Sequence, residues 1–290
     1  MMSTPSNFDS LWDYDHPDQT EAKFREALTQ LSPDTPIRFE LLTQIARTQG
    51  LQGKFEDANK TLDEIDKNLE PVDSRARVRY LLERGRVLNS SMHPDQARPF
   101  FQNAREMAEH ISEDGYAVDA IHMLAIVAPP DESLNLNLKA IELAEGSHQE
   151  KARDWLGSLY NNTGWSYHNL GNYEAALEIF KKGEAWQKSK GRVNERRIAT
   201  WTVGRTLRSL GRLEEALSRQ MELKKELDSA GEEDGYVSEE IGECLLALGR
   251  GNDARPYFAN AYHVLSRDDY LVNHESERLA RLKELGRVTS

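Results

Sequence analysis

The chain has 290 residues, 38% hydrophobic and 30% charged, with a formal net charge of −12. That length admits two ordinary domains or one long repeat array, and the composition is too polar for a single large globular core. With 37 basic residues against 49 acidic ones, the general phosphate attraction that nucleic-acid binding draws on is excluded, so no nucleic-acid partner is expected.

Cys244 is the only cysteine, which excludes an intramolecular disulfide and an all-cysteine metal cluster and fits a reducing compartment. Residues 1–9 carry no basic segment followed by an apolar one, so no secretory signal is read there. The longest apolar stretch, 117–128, is interrupted by Asp119 and His122, too short and too polar to span a bilayer. The expectation is a cytoplasmic protein with no membrane partner.

From the N-terminus, residues 1–36 read as a cap and partial repeat: a short first helix with Phe8, Leu11, Trp12 and Tyr14, then a helix from Pro17 to Leu31. Six repeats are expected over 37–269. Turn positions recur every 38–40 residues at Asp15, Gly53, Met92, Glu132, Gly171, Gly211 and Gly249. His-Pro-Asp-Gln stands at 16–19 and again at 93–96, in the same phase. Each unit reads as two amphipathic helices: Leu156, Leu159, Tyr160, Thr163, Gly164 and Tyr167 keep a 3.6-residue period before one turn, and Ala176, Leu177, Phe180 and Gly183 keep it after. Glycine at the turn suits a left-handed helix end, and Pro17 and Pro94 suit the first position of a helix. The third repeat, 116–147, is degenerate, because Pro129-Pro130 ends its first helix early and Asn137 replaces a small residue. Residues 270–290 read as one capping helix, with Leu271, Leu279, Leu282 and Leu285 inward and Asn273, Glu275, Ser276, Glu277 and Arg278 outward. No strand pattern is present, and no linker divides the chain.

Two further registers recur. Seven residues before the turn stand Ala46, Gly85, Ala125, Gly164, Gly204 and Gly242, and nine after it stand Leu62, Phe101, Ile141, Phe180, Gln220 and Phe258. Glycine inside a helix costs about 1 kcal/mol against alanine, so these small positions need a close contact to justify them. Small residues also stand five after the turn, at Ala58, Ala97, Ala176, Ala216 and Ala254, with Asn137 in the degenerate unit, and the two small sets are expected to face each other across close backbones. The large positions and those three further on, Ile65, Ala104, Ala144, Gly183, Leu223 and Ala261, are expected to interlock one helix pair with the next.

The run Tyr160, Thr163-Gly164, Tyr167, Gly171, Tyr173, Ala176, Phe180, Gly183 resembles the tetratricopeptide repeat, and Gly242, Leu245, Gly249, Ala254, Phe258, Ala261 resembles a second copy. The usual repeat is about 34 residues; this one runs near 40 and is similar to lengthened members of the family. The resemblance implies an all-α fold, a right-handed α-solenoid of antiparallel helix pairs spanning 1–290 as one domain, with the first helices lining a concave face.

On that face the expected contact residues are Arg86, Asn89, Asn161, Asn162, Trp165, Arg197, Trp201, Arg205 and Arg208, the last four forming one stripe at i, i+4, i+8 and i+11. Residues 188–212 carry eight basic side chains against Glu195, whereas 226–243 carry eight acidic ones and no basic one. Guanidinium groups bind carboxylates in pairs, and Trp and Arg commonly anchor interfaces, which points to an acidic peptide or protein segment. The same residues could instead form salt bridges between repeats, with the tryptophans as packing. The fixed lysine–asparagine clamp by which some relatives hold chaperone tails is not matched. Other readings of this surface are a ligand-responsive, peptide-sensing regulator and a self-assembling scaffold in which the Trp12/Tyr14 region or the terminal helices pair two copies into a homodimer.

No metal-binding histidine pair, phosphate loop or nucleophile elbow is present, so neither enzymatic activity nor a cofactor nor a metal is expected. Cys244 stands among Glu239, Glu240 and Glu243, surroundings that raise a thiol pKa and suit a structural role.

Overall fold

The computed structural model describes residues 8–33, 35–69 and 74–288. Residues 1–7, where a secretory signal was sought, and the last two residues of the C-terminal capping segment lie outside the described residues. A 3₁₀ turn, Phe8–Leu11, is followed by α1 (Pro17–Leu28), α2 (Pro36–Leu51), α3 (Phe55–Asn68), α4 (Arg75–Ser90), α5 (Pro94–His110), α6 (Asp114–Val127), α7 (Pro130–Gly146), α8 (Glu150–Arg153) and α9 (Leu156–Asn169). Then come α10 (Tyr173–Ser189), α11 (Val193–Ser209), α12 (Leu213–Ala230), α13 (Gly235–Ala247), α14 (Gly251–Leu265), α15 (Asp269–His274) and α16 (Ser276–Gly286). Among the described residues there is no strand, and no helix is long and apolar enough to cross a membrane. Within each unit, helices adjacent in sequence pack against one another, as the repeat of helix pairs predicts. The chain groups into two compact units, the first ending at Leu159 and the second beginning at Tyr160.

The turns behave as their residues require. Gly53, Gly171, Gly211 and Gly249 take φ between 72° and 77°, a left-handed conformation that costs a side-chain-bearing residue about 1–2 kcal/mol. Met92 adopts it without being glycine, at φ 68°. Pro17 and Pro94 open α1 and α5, where a missing N–H leaves nothing unpaired. In the degenerate repeat the turn falls earlier than the register predicts: α6 ends at Val127 and α7 starts at Pro130. Glu132 therefore lies in the first turn of α7, where it is ion-paired with Arg98.

The glycines before the turn are close-packed, and what they meet is the large residue nine positions after the turn, inside the same helix pair. A Cβ on Gly85, Gly164 or Gly242 would overlap the ring of Phe101, Phe180 or Phe258 on the second helix of the same pair. Each ring is at most 2% exposed, and burying one contributes about 1.5–3 kcal/mol, which outweighs the helical cost of the glycine. In the fifth repeat Gln220 fills the ring position under Gly204, and its Nε2 donates to the Trp201 carbonyl at 3.0 Å.

The ends also differ from expectation. The helix from Pro17 stops at Leu28. The C-terminal segment is two helices, broken at Glu275, whose φ of −126° and ψ of 37° leave the helical region. Leu271, Leu279 and Leu282 are buried as expected, but Arg278 turns inward. It bonds Glu239 and Glu275, and its guanidinium lies 5.1 Å from the Tyr236 ring.

Candidate functional site

In the first unit, α2, α4 and α6 bring charged side chains together at repeat-length spacing. Glu40 accepts from Arg75 at 3.0 Å and from Arg79 at 3.2 Å. Glu83, only 3% exposed, takes both Arg47 and Arg86 on its Oε1, and Arg86 also pairs with Asp119. Burial opposes the charge on Arg86, but Asp119 and Glu83 outweigh it and hold its pKa above the ordinary arginine value. Beside this network the N-terminal segment folds over α2. Phe8 is buried, and Trp12 donates from Nε1 to Gln44 Oε1 at 3.1 Å. Trp12 also stacks on Tyr14, with 4.7 Å between ring centres. The result is a cleft of about 390 Å³, with Trp12, Tyr14, Arg47, Glu83, Asp119 and Trp155 in its walls.

The expected Arg86 lines this cleft, while Asn89 lies one helical turn further along α4, half-buried. The reading from sequence missed Trp12, Tyr14, Glu83, Asp119 and Trp155 as wall residues. A signal was present in the register: Glu40 and Arg79 are one repeat apart, as are Arg47 and Arg86.

In the second unit, α9, α11 and α13 carry a line of aromatic rings. Trp165 lies 6.2 Å from Trp201, and Trp201 lies 6.2 Å from Tyr236. Trp165 is fixed edge-on by Phe180, and its neighbour His168 bonds Ser209 Oγ at 2.9 Å. Burial, together with Arg205 and Arg208, lowers the His168 pKa, so the ring stays neutral near pH 7. Asn161 and Asn162 stand half-buried on α9, with Asn161 Nδ2 donating to Asn162 Oδ1 at 3.4 Å.

The stripe on α11 is intact, and its arginines hold carboxylates. Arg197 bonds Glu226 at 2.7 Å and Glu232 at 2.9 Å. Arg208 bonds Glu240 at 2.5 Å, and Arg205 stands 3.7 Å from the same carboxylate. Burial pushes the Glu240 carboxyl above the usual range against the pull of these two arginines. The basic run is thus met by the acidic run that follows it. Trp201 donates to the Tyr236 carbonyl at 3.2 Å. Trp201, Tyr236 and the exposed Ile198 wall a cleft of about 380 Å³. Tyr236 was not singled out from sequence; its spacing of 35 residues from Trp201 was the available signal.

Cys244 is fully buried, and burial with Glu240 pushes its thiol up to about 12. Among the described residues, no three His, Cys, Asp or Glu side chains are placed to hold a metal ion.

A tetratricopeptide repeat family model matches residues 157–189. Subunit 4 of the outer dynein arm-docking complex of Xenopus laevis is 24% identical over 199 residues, covering 68% of this chain and 35% of that protein. The chain thus aligns with about a third of that relative's length. Among solved structures, apo RapI superposes with a TM-score of 0.79 at 13% identity, over 98% of this chain and 82% of its own. A signal transduction ATPase with a tetratricopeptide repeat sensor, from Pyrococcus horikoshii, gives 0.67 at 16% identity, over 94% and 47%. NprR in complex with its cognate peptide NprX gives 0.52 at 14% identity, over 97% and 83%. At such identities the likeness is one of fold. With the forty-residue register and the packed helix pairs, it gives this chain a helical repeat fold like that of tetratricopeptide proteins, and residues 157–189 match the repeat itself.

Proposed function

We propose that the protein is a non-catalytic interaction scaffold that binds a peptide or protein segment along the first helices of its second unit. The observation that carries this reading is the continuous line of Trp165, Trp201 and Tyr236 beside the exposed Ile198, 59% accessible. Large aromatic side chains left partly accessible in a cleft are what interface anchors look like. That NprR holds a cognate peptide on a similar fold supports the same reading.

An acidic partner is the finer part of the proposal, and it rests on Arg205. Arg197 and Arg208 already hold carboxylates at bonding distance, whereas Arg205 is 32% exposed and 3.7 Å from Glu240. A ligand carboxylate could therefore pair with Arg205 without displacing a bonded glutamate.

The test is affinity purification of wild type and of a Trp201→Ala, Arg205→Glu double variant, with matched melting curves. Loss of a partner at unchanged stability is expected. An identical partner set overturns the proposal. Arg205→Glu alone should weaken an acidic partner and leave a neutral one in place.

A further inference from the structure

We propose that the first-unit cleft is a second site, independent of the reading above, which binds a small zwitterion with a flat ring: a free aromatic amino acid. Size comes first. At about 390 Å³ the cleft lies at the low end of the range for small-ligand pockets, about 300–1,000 Å³, and is scaled to one compact molecule.

Charge selects the ligand's polar groups. Both signs line the cleft, and hydrogen bonds are missing from its charge network. Glu83 Oε2 and Arg47 Nε have no hydrogen-bond partner, although Glu83 is 97% buried and Arg47 is 73% buried. An unpaired buried group costs about 1–3 kcal/mol, and more when it is charged. The two orphans are an anionic acceptor and a cationic donor. An ammonium group drawing the Glu83 carboxylate toward the cleft, and a carboxylate accepting from Arg47, would satisfy both. A molecule with only one of these groups would leave the other orphan in place.

The rings select the body. Trp12 and Tyr14 lie 8° from parallel, and the Arg47 guanidinium stands 5.7 Å and 5.8 Å from their centres. Tyr14 remains 60% exposed although it is stacked, so it presents a face on which a ligand ring can lie. Trp155, from the segment after α8, adds a further ring to the wall.

Calorimetric titration with L-tryptophan and L-tyrosine tests the site, using tryptamine and indole-3-propionate as analogues that each lack one charge. One or both amino acids are expected to bind, with the single-charge analogues at least tenfold weaker. Tyr14→Ala removes an exposed ring and leaves the buried network in place, so it should fold normally and lose at least tenfold in affinity. Trp201→Ala, in the other unit, should bind as wild type. Absence of binding by both amino acids, equal binding of tryptamine or indole-3-propionate, or wild-type affinity in Tyr14→Ala overturns the proposal. None of these results bears on partner capture by the second unit, so the two proposals fail separately.

Discussion

The two units use the same face of their first helices for different chemistry. On the first helices of the first unit it carries a buried charge network: Glu83 between Arg47 and Arg86, Arg86 on Asp119, and Glu40 between Arg75 and Arg79. On those of the second unit it carries rings, with arginine–glutamate pairs beside them. The pairing behind both is alike, a ring or a glutamine seated on a glycine. The scaffold is therefore set by small-to-large packing within each helix pair, which leaves the opposite face of the first helix open to vary. A buried charge network needs its partners present, because a charge left without one is costly.

The largest expected effect separates those two faces. Glu83→Gln should destabilise by about 3–5 kcal/mol, because it leaves two largely buried arginines short of their common carboxylate. Glu240→Gln should cost less, about 1.5–3 kcal/mol, since Arg205 and Arg208 are 32% and 22% exposed and can recruit water. Urea unfolding followed by circular dichroism measures both. Equal losses would show that the contrast between the units is one of residue type only.

The next effect should not distinguish the units at all. Gly85→Ala and Gly164→Ala each drive a Cβ into a phenylalanine ring on the second helix of the pair, an overpacking that costs about 1–3 kcal/mol. Shrinking the ring, as in Gly164→Ala with Phe180→Leu, should recover part of the loss. A cost at Gly85 unlike that at Gly164 would mean that the helix pairs are not built alike.

The same division governs what was legible in the sequence. The forty-residue register, the turn glycines and the helix-starting prolines are local, since each fixes a backbone conformation with its own residues, and they located the helices. The break at Glu275 was not legible, because Leu271, Leu279, Leu282 and Leu285 keep an inward pattern across it. Nor was the direction of the glycine–phenylalanine contact, since periodicity gives a helix face and not the partner that face meets. The nine residues expected on the binding face do fall on first helices, and several of them adjoin the clefts. Their arginines, however, find carboxylates elsewhere in the chain at separations of about 29–35 residues. Charge runs in a sequence show what is abundant; whether a guanidinium faces solvent or a glutamate depends on pairing across the stack. The first-unit cleft draws on five separate segments, and only the repeat-spaced charges among them carry a sequence signal.

The smallest effect concerns pH and touches both units. Burial lowers the pKa of His122, aided by Arg86 and opposed by Asp119, and burial with Arg205 and Arg208 lowers that of His168. Each ring therefore binds its proton less readily folded than unfolded, where the reference value is about 6.5. Stability is unaffected well above that value and falls as pH drops through it, since the unfolded chain then takes up more protons, at no more than about 1.4 kcal/mol per pH unit for one histidine. His122 is the more buried of the two and packs 5.3 Å from Trp155 in the cleft wall, so most of the loss should come from the first unit. Thermal melts at pH 7.5 and 5.5 should show a smaller decrease for His122→Leu than for wild type. The His168→Leu variant should retain most of the wild-type decrease. If His168→Leu removed the larger share instead, acid would act mainly on the aromatic face, and the buried network would not be the more pH-sensitive of the two.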